Sequence, residues 1–178
     1  RMAIANDPTW AESNEGAGLE GMKTARAIAL LSYRSYQAYN GSQRELSTEL
    51  TDHYKASSYQ QYQGEKLANR FNAFSYWHLS KAMDSHHLGR GRNSVQDALA
   101  QIQAEALVIG INSDNLFPVK EQVLLFNNLP KAQLEIIDSG FGHDGFLTET
   151  EKLNPLIKHF LSTQSPTRRV ATTLETTI

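Results

Sequence analysis

The sequence predicts an α/β fold, and three observations carry that prediction. Leu107-Val108-Ile109-Gly110-Ile111 is an apolar, β-branched run that ends in an acidic loop around Asp114. Pro118 follows, and Val119 to Asn127 has helical spacing, so the unit reads strand, loop, helix. The arrangement recurs downstream. Leu134 to Asp138 is a second strand, Ser139-Gly140-Phe141-Gly142 a glycine-rich loop, and His143-Asp144 stands in that loop. Before Ile102 the pattern is helical and aromatic instead. A helical portion followed by repeated strand-loop-helix units predicts helices attached to a parallel sheet. Open parallel sheets hold their ligands outside the carboxyl ends of the strands, where Asp114 and His143 fall.

The 178 residues suffice for one domain with a core of its own, and 40% hydrophobic with 20% charged residues is a globular composition. A net charge of −2 argues against a general binder of nucleic acid or membrane surfaces, which carry basic excess. With no cysteine, disulfides, thiolate zinc sites and a cysteine nucleophile are excluded, a composition that fits the cytoplasm. No run approaches the ~18 apolar residues of a membrane span, and no signal-peptide pattern is visible.

Taken in order, Arg1 to Asn6 reads as the last turns of a helix halted by Asp7-Pro8. No helix start precedes it, so we expect the chain to begin in mid-element, as a fragment would. Asp7 to Gly21 reads as loop. Met22 to about Tyr39 reads as one helix with Ala25, Ile28, Ala29, Ser32, Tyr36 and Tyr39 on one face and Gly41 ending it. Arg26 and Tyr33, two turns apart, share a second face. Ser57 to Ala82 reads as two helices broken near Asn69 to Asn72, with Tyr59, Tyr62, Phe71, Phe74, Tyr76 and Trp77 as packed aromatics. Ser94 is placed to cap a short helix. Leu153 to Leu161 is a final amphipathic helix with Pro155 in its first turn, and 163–178 is a polar, Thr-rich tail.

Asp114 alone would read as a helix cap. An Asp and then a His at the ends of successive strands match the last two members of an α/β-hydrolase triad, whose chain order is Ser, Asp or Glu, His. Glycines around His143 let its loop turn tightly and leave the ring accessible. No G-x-S-x-G elbow occurs in the 178 residues, and Ser113 and Ser139 lack the flanking glycines of one. The nucleophile is therefore expected on polypeptide outside this sequence. Asp84, His86 and His87 read as a solvated loop, and no metal site is expected. His53, His78 and His159 read as ordinary surface or packing residues.

Gly21-Met22-Lys23-Thr24-Ala25-Arg26, continuing to Ser32-Tyr33-Arg34-Ser35, resembles the first lid helix of the homoserine O-acetyltransferase family. Tyr62 to Lys66 with Arg70 to Ala73 and Ser75-Tyr76 resembles the next part of that lid. Ser113-Asp114-Asn115-Leu116-Phe117-Pro118 and Gly142-His143-Asp144-Gly145-Phe146-Leu147 resemble its triad loops. The resemblance runs from residue 1 to about 162 and covers the C-terminal half of the family.

The resemblance implies the C-terminal part of an α/β-hydrolase core with a helical lid inserted. Residues 1–13 would end a core helix, 14–93 form the lid, and 94–162 close the core. It implies ping-pong transfer of an acetyl group from acetyl-CoA, as co-substrate, to L-homoserine in methionine biosynthesis, with no cofactor. A Ser on the N-terminal half would attack, with His143 as base and Asp114 orienting it. By position, Arg26 would grip the homoserine carboxylate, Tyr33 would reach the same substrate, and Asp144 would hold its ammonium group. The plain alternatives are a solvated helix charge, a packed aromatic and a turn-forming Asp. Asn115 stands where an aromatic is common in the family. Family members dimerise through the lid, so a homodimer is expected, and the chain alone is expected to be inactive. The rival readings are succinyl-CoA or L-serine as substrate, an esterase on the same scaffold, and a non-catalytic helical interaction module.

Overall fold

The computed structural model describes residues 1–163; apart from Thr163, the expected tail lies outside the described residues. The helical portion comes first. A short helix α1 (Met2–Ala5) leads through a 3-10 turn at Trp10–Glu12 into α2 (Leu19–Tyr33). Asp7 joins these pieces. Its carboxylate accepts hydrogen bonds from the Thr9 hydroxyl (2.7 Å), the Thr9 N–H (2.9 Å) and the Gly21 N–H (2.7 Å). The Thr9 hydroxyl contributes most to holding the Asp7 carboxyl below its ordinary value, with the Gly21 N–H next. Gly21 lies so close to α1 that a Cβ there would come within 2.3 Å of the Ala3 carbonyl oxygen. Only glycine permits this approach.

The helix expected from Met22 to Tyr39 is two helices. Arg34 is extended (φ −110°, ψ 145°), and α3 (Tyr36–Gln43) starts afresh with the Ser35 hydroxyl accepting from the Ala38 N–H at 3.1 Å. A serine cap in extended conformation restarts a helix rather than continuing one, and Gly41 lies inside α3 instead of ending it. The expected face is corrected too. Met22 and Leu30 are buried, whereas Ile28 and Tyr36 are exposed, because α2 turns its Met22 side toward α1 and the following lid helices.

Two further helices, α4 (Lys55–Ala68) and α5 (Ala73–Ser85), complete the lid, with the break between them where the sequence places it. The Asn72 side chain caps α5 by accepting from Phe74 and Ser75 N–H groups. Gly64 lets α4 cross close to α2 at Lys23, whose ammonium pairs with Glu20 and Glu65. Ile4, Met22, Leu67 and Ala73 form the core, walled by Trp10, Phe71, Tyr76 and Trp77. Trp10, outside the aromatic set expected to pack, stacks on Phe74 at 4.2 Å, while Tyr62 of that set is exposed.

The α/β portion begins with α6 (Val95–Ala100), capped by Ser94 as expected. Strands β1 (Ala106–Ile111) and β2 (Ala132–Ile137) pair in parallel, Val108 opposite Leu134 and Ile111 opposite Ile137, with α7 (Val119–Asn128) crossing between them. Short α8 (Gly145–Thr148) and long α9 (Thr150–Thr163) follow. The last helix starts earlier than expected because Glu149 O accepts from the N–H groups of Lys152 and Leu153, so Pro155 lies inside α9 and not in its first turn.

Candidate active site

The two strands end side by side, and their loops are stitched together by side chains. Asn112 donates to the Asp138 carboxylate and accepts from the Ser139 N–H (3.0 Å). Ser113 donates to the Ser139 carbonyl and accepts from the Gly142 N–H at 2.9 Å. Ser139 accepts from the Phe141 N–H and bonds the Glu149 carboxylate, which the Ser139 contact and then Lys152 hold below its ordinary value. Both serine hydroxyls are thereby committed to loop geometry, which agrees with the absence of an elbow around either.

This stitching sets Asp114 against His143. Asp114 is 8% exposed, and one carboxylate oxygen accepts from the N–H groups of Leu116 (2.8 Å) and Phe117 (2.9 Å). The other oxygen meets His143 Nδ1 at 2.8 Å. A carboxylate has no donor of its own, so it accepts a hydrogen bond from Nδ1–H, which leaves Nε2 as the free base. Among the described residues nothing hydrogen-bonds that nitrogen. Three aromatic rings surround the imidazole: Phe117 edge-on at 5.0 Å, and Phe146 at 5.1 Å and Tyr33 of the lid at 5.9 Å, both tilted. It borders a cavity of about 390 Å³ lined by Ile109, Gly110, Gln122, Phe117 and Phe146.

The lid reaches this site at its own break. Gly142, at φ +68°, packs so tightly on the α2–α3 junction that a Cβ would lie 2.6 Å from the Ser35 nitrogen. Ser35 donates to the Gly140 carbonyl. Arg34 donates from Nε to one oxygen of Asp144 at 2.9 Å, so that carboxylate, expected to face a ligand, already has one protein partner. Arg26 lies over the Tyr33 ring at 5.4 Å. Burial, with Tyr33 adding and Arg26 opposing, raises the Tyr76 phenol, so α5 contributes Tyr76 to the same cluster.

Arg26, Tyr33, His143 and Asp114 thus form a chain of contacts, and Asp144, next to His143 in sequence, is held by Arg34 beside Tyr33. Residue spacing gave no sign of Arg34, Phe146 or Gln122. For Ser35 a signal existed, a serine three residues before Ala38, but the surrounding helical periodicity hid it. Among the described residues no group of three or more metal-ligating side chains occurs; Asp84 pairs with Arg1. No helix among them is long and apolar enough to cross a membrane.

A buried carboxylate oriented on an imidazole at the ends of successive parallel strands is an acyl-transfer or hydrolytic arrangement. The chain is 48% identical over 160 residues to a homoserine O-acetyltransferase of Cyclobacterium marinum, a match covering 90% of this chain and 45% of that protein. Over nine-tenths of its length the chain is thus similar to homoserine O-acetyltransferases. It spans about half the length of the curated relatives it matches. The crystal structure of homoserine O-acetyltransferase from Bacillus anthracis superposes with a TM-score of 0.83 at 19% identity, over 92% of this chain and 47% of that one. Esterase E22 superposes at 0.76 and 18% identity, over 90% and 48%. These two likenesses show that the fold is that of the α/β hydrolases, which serves transfer and hydrolysis alike. No family model matches the chain.

Proposed function

We propose that this chain is the part of a homoserine O-acetyltransferase that supplies Asp114 and His143, together with the acceptor contacts of the lid. The observation that carries the reading is the 2.8 Å contact between Asp114 and His143 Nδ1 in a chain so close to named acetyltransferases. A serine on polypeptide outside these 178 residues attacks the carbonyl carbon of acetyl-CoA while His143 Nε2 removes its proton. Collapse of the tetrahedral adduct breaks the C–S bond, and the proton passes to the departing CoA sulfur. Asp114 stabilises the intervening imidazolium without taking the proton. The homoserine side-chain hydroxyl, deprotonated by His143, then attacks the acetyl-serine carbonyl; the serine C–O bond breaks and the proton passes from His143 to the serine oxygen.

The acceptor is held by the residues described above. Arg26 receives its carboxylate, the Tyr33 hydroxyl reaches the same molecule, and Asp144 takes its ammonium group. No cofactor has a step in this scheme. The reading places the reaction in the cytoplasm and includes a homodimer formed through the lid, where Ile28, Leu31, Leu79 and Met83 are exposed apolar side chains.

The test uses the full-length protein with acetyl-CoA and L-homoserine, following free thiol and O-acetylhomoserine by mass. Acetylated homoserine formed with equal CoA release is the expected result. CoA or ester cleavage indifferent to homoserine would replace the reading with a hydrolase. Faster turnover with succinyl-CoA or L-serine would move it to a related transferase.

A further inference from the structure

We infer that Arg34 is a positioning residue: it fixes the Asp144 carboxylate for the ammonium group of the acceptor. The inference rests on the reading of Asp144 given above and adds to it a residue that the scheme does not use. Asp144 directly follows His143 on a 3-10 turn (Gly142–Asp144), so its side chain begins beside the catalytic ring. A carboxylate on so short a turn keeps its torsional freedom unless something holds it. Arg34 does so through Nε, 2.9 Å from Oδ2, with the two side chains 28% and 20% exposed. Oδ1 accepts no hydrogen bond from the described residues, which leaves an acceptor oxygen for an incoming cation.

Arg34 can impose this because it is itself held. Its guanidinium lies over the Tyr59 ring of α4 at 5.2 Å, and its backbone is the extended break between α2 and α3. The next residue, Ser35, is buried against the Gly140 carbonyl. One residue therefore joins the first lid helix, a second lid helix and the histidine loop. A guanidinium that had only to neutralise Asp144 would serve as well from a flexible surface side chain. Held as it is, it sets one orientation of the carboxylate.

In a two-step transfer this role confines Arg34 to the second step. The acetyl-enzyme forms before the ammonium group is needed, so donor chemistry should proceed without Arg34. The experiment compares wild-type full-length protein with Arg34→Gln and Arg34→Lys. It measures the first-turnover burst of CoA release without acceptor, KM for L-homoserine, and the preference for L-homoserine over 4-hydroxybutanoate, which lacks the amino group. We expect Arg34→Gln to leave the burst within twofold. KM should rise and the amino-group preference fall by roughly tenfold, the size of one lost charge-assisted hydrogen bond. Arg34→Lys, a single-point donor, should recover part of both. A loss shared equally by burst and transfer would assign Arg34 to lid folding and overturn the inference. Unchanged KM and preference would overturn it as well, leaving the proposed function standing. A wild-type protein that fails to acetylate homoserine would remove both together.

Discussion

At the scale of single residues, the two carboxylates Asp114 and Asp7 do different work with the same chemistry. Asp114 spends one oxygen on backbone N–H groups and the other on His143, so its negative charge is fixed in direction as well as in place. Replacing it by Asn keeps the shape but offers an amide N–H toward Nδ1, and the imidazole must then present the wrong tautomer. We expect Asp114→Asn in the full-length protein to lower kcat roughly 10⁴-fold with the melting temperature little changed. A fall below tenfold would mean that His143 is not the base. Asp7 has a structural task. Its carboxyl titrates below its ordinary value of 3.8, chiefly through the Thr9 hydroxyl and then Gly21 N–H. The stability it contributes is complete above that ordinary value and is lost as pH falls through the lower, folded one. Asp7→Asn should therefore cost about 1–3 kcal/mol at pH 7 and flatten the drop in urea midpoint between pH 5 and roughly pH 2. An equal drop in both proteins would assign acid sensitivity elsewhere.

At the scale of elements, the decisive contact is the one between the α2–α3 break and the histidine loop. Gly142 has a left-handed φ of +68° and almost no space for a Cβ against Ser35 and Arg34. Gly142→Ala meets both penalties, and the loop carrying His143 must move or the lid must lift. We expect kcat/KM to fall by more than tenfold, while circular dichroism shows unchanged helix content. A variant that keeps wild-type activity would show that the lid junction can yield at no cost to the site. The junction also explains why the first lid helix stops where it does. Arg34 and Ser35 leave the helical path to make contacts with residues more than 100 positions away.

At the scale of the molecule, the loops at the carboxyl ends of the parallel pair β1–β2 carry Asp114 and His143, and the lid brings cationic and aromatic groups beside them. Nothing among the described residues offers a hydroxyl to His143 Nε2, and Ser113 and Ser139 are occupied in holding the loops. The 178-residue polypeptide on its own should therefore show no acetyl transfer from acetyl-CoA above the rate of a His143→Ala control. Thiol release above that control from the isolated chain would require a nucleophile within it.

How much was legible follows from the range of each interaction. Period and turn chemistry are local, so the two strands, the break between α4 and α5, the Ser94 cap and the paired loops around Asp114 and His143 could be read from neighbouring residues. The split of the first lid helix could not. Alanines and tyrosines at helical spacing continue through Arg34 and Ser35, and only the distant Gly140, Gly142 and Asp144 make an extended break more stable there. By itself the sequence determined the two strands, the helix between them and which residues stand at the strand ends. The tertiary structure decided which side of α2 is buried, that Arg34 holds Asp144, and that both loop serines are structural. Those outcomes depend on contacts between segments far apart in the chain, and no local pattern records them.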